Sequence, residues 1–187
     1  MAAPFSLADP FSASTMKIDD DDFALFGLPR RYALDRADLD ARRRSLQAEV
    51  HPDRFAAGGA AAQRVAMQWA VRVNEAYERL ADPVRRAGYL CELAGVAVDA
   101  EENSAMPAAF LEQQMAWREA LDEASVRDRV EALAEDLARE RDAAFARLAD
   151  TLDVENDASS AVQQVRALMF IERFATDVED RLAATES

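Results

Sequence analysis

The tripeptide His51-Pro52-Asp53 constrains this chain more than any other stretch, because of what lies on either side of it. A helical apolar pattern runs from Asp35 to Val50, and a longer one runs from Ala60 to Leu80. Proline disfavours the α conformation in the residue before it, so His51 is pushed out of the first of these helices. The tripeptide is therefore expected at the tip of an αα-hairpin, with Gly58-Gly59 completing the loop. At ordinary residue frequencies a chance His-Pro-Asp turns up in about one chain in a hundred of this size. Its place between two helices makes chance a poorer account still.

The remainder of the sequence also reads as helix. Half of the 187 residues are hydrophobic, only five are Gly and six are Pro, and Ala, Leu, Arg and Glu abound. The acidic run Asp19 to Asp22 complements the start of a short helix, Phe23 to Phe26, which Gly27 ends. Asp35 is a good N-cap for the second helix, which turns Leu39, Leu46 and Val50 inward and spreads Arg42, Arg43 and Arg44 over its other faces. The third carries Val65, Trp69, Val73, Ala76 and Leu80 at helical spacing. Asp82-Pro83 marks a break, and Pro83 opens a fourth helix ending near Leu93.

Pro4, Pro10 and the serines before Met16 mark residues 1–18 as a disordered lead-in, and the polar, unpatterned stretch 95–106 reads as a linker. Beyond it Pro107 opens a fifth helix through about Glu123. A sixth places Val126, Val130, Leu133, Leu137, Phe145, Leu148 and Leu152 inward, Asn156 to Ser160 form a turn, and a seventh carries Leu168, Ile171, Val178 and Leu182. Long amphipathic helices with brief connections predict an antiparallel three-helix bundle over 107–187, preceded by a helical domain over 19–94. The fold class is all-α.

The chemistry on offer is thin. One His and one Cys lie far apart, so a Cys–His nucleophilic pair is not expected, and Cys91 reads as buried rather than reactive. No Gly-rich phosphate loop is present, and no His lies in the second half to build a di-iron bundle, so neither an enzyme nor a metal or other cofactor is expected. A net charge of −14 argues against nucleic acid, whose affinity comes from Lys and Arg on phosphates. No apolar run is long enough to cross a bilayer. The charge is uneven: residues 1–98 carry 13 basic and 14 acidic side chains, and residues 99–187 carry 9 and 22. Two halves with different electrostatic partners follow from that split.

The fifth helix bears two stripes. Phe110, Gln114, Trp117 and Leu121 lie at core spacing, while Leu111 and Met115 lie about 100° further round and run into Glu119 and Glu123. Either a wide apolar face packs between two neighbours, or the second stripe receives a partner. Phe170, one position before the core residue Ile171, raises the same question on the seventh helix.

Phe23-Ala-Leu-Phe-Gly-Leu-Pro29, Leu46-Gln followed by His51-Pro-Asp-Arg-Phe55, Val73-Asn-Glu-Ala-Tyr77 and Leu80 with Asp82-Pro83 together resemble a J-domain. The segment Ala109-Phe-Leu-Glu-Gln-Gln-Met-Ala-Trp-Arg-Glu-Ala-Leu-Asp-Glu123 narrows the likeness to the J-type co-chaperones of iron–sulfur cluster biogenesis, the HscB type. The resemblance covers residues 19 to about 183. It implies an L-shaped molecule with an N-terminal J-domain and a C-terminal bundle, acting as a monomer that is not itself an enzyme. It implies two partners: a DnaK-class ATPase chaperone of the HscA type, and a cluster scaffold protein of the IscU type. The chaperone contact carries over to His51, Pro52 and Asp53, with Arg42, Arg43, Arg44 and Arg54 as supporting charges. The scaffold contact carries over to Leu111, Met115, Glu119, Glu123 and Phe170.

Three departures from the family pattern stand out. Glu49 and Val50 precede the loop where relatives often carry basic or aromatic residues, and Ala116 stands where a further acid is common. The cysteine-pair zinc module of some relatives has no counterpart here. The alternative within the same resemblance is a general J-protein presenting unfolded clients to a DnaK-class chaperone. Bacterial cytoplasm is the expected compartment, ahead of a mitochondrial matrix.

Overall fold

The computed structural model describes residues 17–98 and 106–184. Most of the lead-in and of the linker read from the sequence therefore lie outside the described residues. The chain falls into two compact units, Met1–Asp82 and Pro83–Ser187. Among the described residues every regular element is helical, and no helix is long and apolar enough to cross a membrane.

The first unit is built from α1 (Asp22–Leu25), α2 (Arg36–Glu49), a 3₁₀ segment (Pro52–Gly58) and α3 (Gly59–Ala81). Both short polar starts behave as caps: Asp21 accepts the Ala24 N–H at 3.0 Å, and Asp35 accepts that of Ala37 at 2.8 Å. α1 and α2 both pack on α3. Phe23, Leu25, Leu39, Val50, Trp69, Val73 and Leu80 are almost wholly excluded from solvent there. Val65 is only half-buried, and its neighbour Ala66 takes the core position instead.

The acidic run does more than cap a helix. Asp22 is fully buried, with its carboxylate 2.7 Å from Arg72 Nη1 and 2.8 Å from Arg79 Nη1, both on α3. Arg72 also donates to the carbonyls of Ile18, at 3.3 Å, and Asp20, at 2.7 Å. The entering chain is thereby tied to α3 by charge-assisted hydrogen bonds. Gly27, at φ +62, turns the chain after α1 and leaves room for Arg42, which donates to the carbonyls of Phe26 and Gly27 at 2.9 and 3.0 Å.

The second unit holds α4 (Pro83–Leu93), α5 (Ala108–Glu123), α6 (Arg127–Asp150), a π-helical turn (Thr151–Glu155) and α7 (Ala158–Ala184). The sequence groups the fourth helix with the first three, whereas α4 packs on α7 and belongs to the second unit. Its buried face is Ala87, Gly88 and Cys91, all small, which lets the two helices approach closely. The bundle is thus three predicted helices with a fourth laid on α7. Val130, Leu133, Leu137 and Leu148 of α6 meet Leu168, Ile171, Phe174 and Val178 of α7 in the core.

Val126 is the one clear miss in that stripe. It is 53% exposed, because it stands in extended conformation as the N-cap of α6 and the helical spacing does not reach it. Phe145, Leu152 and Leu182 are half-buried, and Ala144 occupies the position expected for Phe145. The turn read at Asn156 is sharp: Asn156 adopts a left-handed conformation at φ 54. Asp157 then caps α7 by accepting from the Ser160 N–H and hydroxyl.

Candidate functional site

Two surfaces carry the residues singled out by the sequence, one on each unit. On the first, α2 ends at Glu49, and Val50 closes it by donating its N–H to the Leu46 carbonyl at 3.0 Å. Val50 is 1% exposed, so its apolar side chain serves the core and not a partner. His51 is non-helical, as its place before proline requires. Its Nδ1 accepts the Asp53 N–H at 3.3 Å, and its carbonyl accepts the Arg54 N–H at 3.0 Å. The Asp53 side chain is 91% exposed, so the bend spends its backbone on itself and leaves that carboxylate to solvent. Gly59, at φ +79, returns the chain into α3 in a conformation that L side chains rarely adopt.

The four arginines read as supporting charges are not equivalent. Arg42 is committed to the Phe26 and Gly27 carbonyls and to Asp38. Arg43 lies over the Tyr77 ring at 4.0 Å. Arg54 donates to the Ala48 carbonyl at 3.1 Å, filling one of the acceptors left open at the end of α2. Arg44 and Arg54 are both exposed, and of the four only Arg44 makes no hydrogen bond or ion pair among the described residues. Tyr77 also donates to Asp40 at 2.7 Å, and that hydrogen bond, with Arg36 and Arg44 nearby, holds the Asp40 carboxyl below its ordinary range.

On the second unit α5 and α7 share an aromatic column. Trp117 stacks on Phe170 and Phe174 with ring centroids 6.4 and 6.2 Å away, and Phe110 meets Phe170 edge-on at 5.9 Å. Trp117 and Phe174 are buried, while Phe110 and Phe170 are half-buried at the margin. Beside them Leu111 is 46% and Met115 71% exposed, and Glu119 and Glu123 are exposed as well. Both stripes of the fifth helix therefore exist: one is packed by α7, and the other is uncovered among the described residues. Ala116 is exposed on this helix and offers no charge.

Sequence reasoning passed over Arg118. Its guanidinium carbon lies 5.5 Å from the centroid of the Phe170 ring, within cation–π range. The signal was available, because Arg118 follows Leu111 by seven positions and so falls about 20° from it around a helix. Cys91 is fully buried, and burial, with the Glu92 charge beside it, pushes its thiol up to about 11. It is a neutral packing group at ordinary pH.

The C-terminal residues 106–179 match a family model described as the HSCB C-terminal oligomerisation domain. A co-chaperone protein HscB homolog of Paraburkholderia phymatum is 50% identical over 164 residues, covering 86% of this chain and 93% of that protein. The chain belongs to the HscB family of co-chaperones. A Bordetella avium homolog of the same name is 51% identical over 160 residues, covering 85% of this chain and 95% of its own length. The chaperone HscB of Vibrio cholerae superposes with a TM-score of 0.76 at 32% identity, over 86% of this chain and 96% of that one. Human HscB superposes at 0.82 over 95% of this chain and 91% of that one. At 20% identity it attests the fold alone. Membership gives the chain the family's architecture, an N-terminal J-domain and a C-terminal helical bundle.

Proposed function

We propose that this co-chaperone serves iron–sulfur cluster assembly by joining two partners: an HscA-type ATPase of the DnaK class at the J-domain, and an IscU-type cluster scaffold at the α5–α7 surface. The observation that carries this reading is the Asp53 carboxylate, 91% exposed on a bend whose own polar backbone groups are occupied. A charge held out on a stiff support pairs with a partner cation without first losing conformational freedom. Arg44, exposed on α2, supplies a positive charge for an acidic surface on the ATPase. In the bundle, the apolar stripe of Leu111 and Met115 edged by Glu119 and Glu123 suits a scaffold face with an apolar centre and a basic margin.

Asp53→Ala in the full chain should cut stimulation of the chaperone's ATPase by about tenfold or more, the worth of a charge-assisted contact. Helical content should be unchanged, because a solvated loop-tip side chain supports little packing. Full stimulation by the variant overturns this role for the bend.

A further inference from the structure

A groove runs between α6 and α7 on the side of the bundle away from α5. Leu137 and Val178, both buried, form its floor, the half-buried Ala134, Ala138 and Ala175 form its walls, and its volume is about 160 Å³. The two helices flank it alike. On α6, Glu135 and Asp142 stand three positions before and four after Ala138, and on α7, Glu172 and Glu179 stand in the same way around Ala175. Helical geometry puts each acid about 40° to 60° beyond its alanine, on the side away from the floor. All four are exposed. Arg141, the one base of the lining, lies 4.0 Å from both Asp142 and Glu172, so its charge is balanced within the fold. Glu135 and Glu179 meet no base among the described residues. The same flank of α7 already seats a helix nearer its start, where Gly88 of α4 lies over Val165. Glu179 falls about five turns from the buried Ala161 on one line along α7, and Ala175 stands about 20° from the buried Leu168. α4 has 11 residues against 27 in α7, so this strip continues beyond it.

We propose that the α6–α7 groove docks a basic amphipathic helix of another protein, with small apolar residues on its contact face and Lys or Arg on either side of that face. Walls of alanine let a helix axis come close only if the incoming side chains are small as well. α4 meets α7 in that way, through Ala87, Gly88 and Cys91. The unpaired Glu135 and Glu179 lie on opposite banks, so a helix between them is favoured when it carries a cation toward each. A second copy of this chain is a poor occupant, because residues 99–187 bring 22 acids against 9 bases to the contact. The same excess steers a basic segment in, and the short groove makes the complex a weak and reversible one.

The probe is a synthetic peptide of about 16 residues, capped at both ends, with alanine and leucine on one helical face and lysine on both sides of it. It is titrated into the full chain and followed by fluorescence anisotropy and amide NMR shifts. Shifts should centre on α6 and α7 around Ala138 and Ala175, and affinity should fall as salt rises. Ala138→Trp fills the groove from a half-buried position and should weaken binding about tenfold with unchanged circular dichroism. Glu135→Lys with Glu179→Lys should also weaken it about tenfold, whereas Glu112→Lys with Asp122→Lys on α5, the same change in net charge, should alter it less than about twofold. Equal losses from the two double reversals would make the attraction one of net charge alone and overturn the groove. Shifts centred on Leu111 and Met115, or no binding at about millimolar peptide, would overturn it too. A dimer in sedimentation velocity that Ala138→Trp dissolves would make the occupant a second copy and overturn the basic partner.

Discussion

The bend in the J-domain and the face on the bundle present functional groups by opposite means. At the bend the chain itself does the positioning: proline excludes His51 from α2, the backbone N–H groups of Asp53 and Arg54 are taken up locally, and Gly59 makes the return. Little is buried there, and little needs to be. On the bundle the backbone of α5 is ordinary helix, and the positioning comes from side chains, namely the Trp117, Phe170 and Phe174 stack with Phe110 against it. A surface made by backbone geometry tolerates loss of its side chains, whereas a surface made by packing loses its shape with them.

Substitutions that strike one mode of support and spare the other sharpen this contrast. Trp117→Ala should be the most damaging, lowering the stability of the second unit by about 3–4 kcal/mol in chemical denaturation, because a 5% exposed ring at the centre of the column leaves a void. A loss under about 1 kcal/mol would mean that the column is not what shapes the face. Asp22→Ala should destabilise the first unit by about 2–3 kcal/mol, below the full range for a broken buried pair because the Arg79 side chain is 43% exposed. Hydrogen exchange in α1 and along α3 would report it, with α5 to α7 protected as before.

Gly59→Ala should cost about 1 kcal/mol, since the new methyl meets no atom within 4 Å and the penalty is that of a left-handed backbone alone. A larger loss, or failure of the hairpin to close, would show that the bend depends on more than local geometry. Leu111→Ala with Met115→Ala should change stability least, by under about 0.5 kcal/mol each, while abolishing measurable scaffold binding. A large drop in melting temperature would place those two side chains in the core and dissolve the distinction between packed and uncovered stripes.

Where the sequence was legible, one physical rule settled each feature. Proline before a helix, aspartate at its start and apolar residues three or four apart led directly to α2, α3 and the bend, and later to α6 and α7. Where two rules competed, it was not. The fourth helix has a respectable apolar face, but nothing in its periodicity tells which neighbour that face will meet. Its small residues Ala87, Gly88 and Cys91 favour α7 only once α7 is in place. Val126 continues the stripe of α6 numerically and fails because a cap is not yet helix. The acidic run reads only as the start of a short helix, since Arg72 and Arg79, which pair with the buried Asp22, lie some fifty residues downstream in the sequence. On the two surfaces the bend and the exposed stripe were legible from local pattern. The engagement of Arg42, Arg43 and Arg54 within the fold was not, and neither was the placement of Arg118 on a ring supplied by another helix.

The sealed thiol of Cys91 has a chemical consequence of its own. Metal capture and sulfur exchange both require the deprotonated form, which burial withholds here until strongly alkaline conditions. The chain has no second cysteine and a single histidine. The lone thiol is thereby withdrawn from such chemistry in the native state, and only an opening of the contact between α4 and α7 would return it to reactivity.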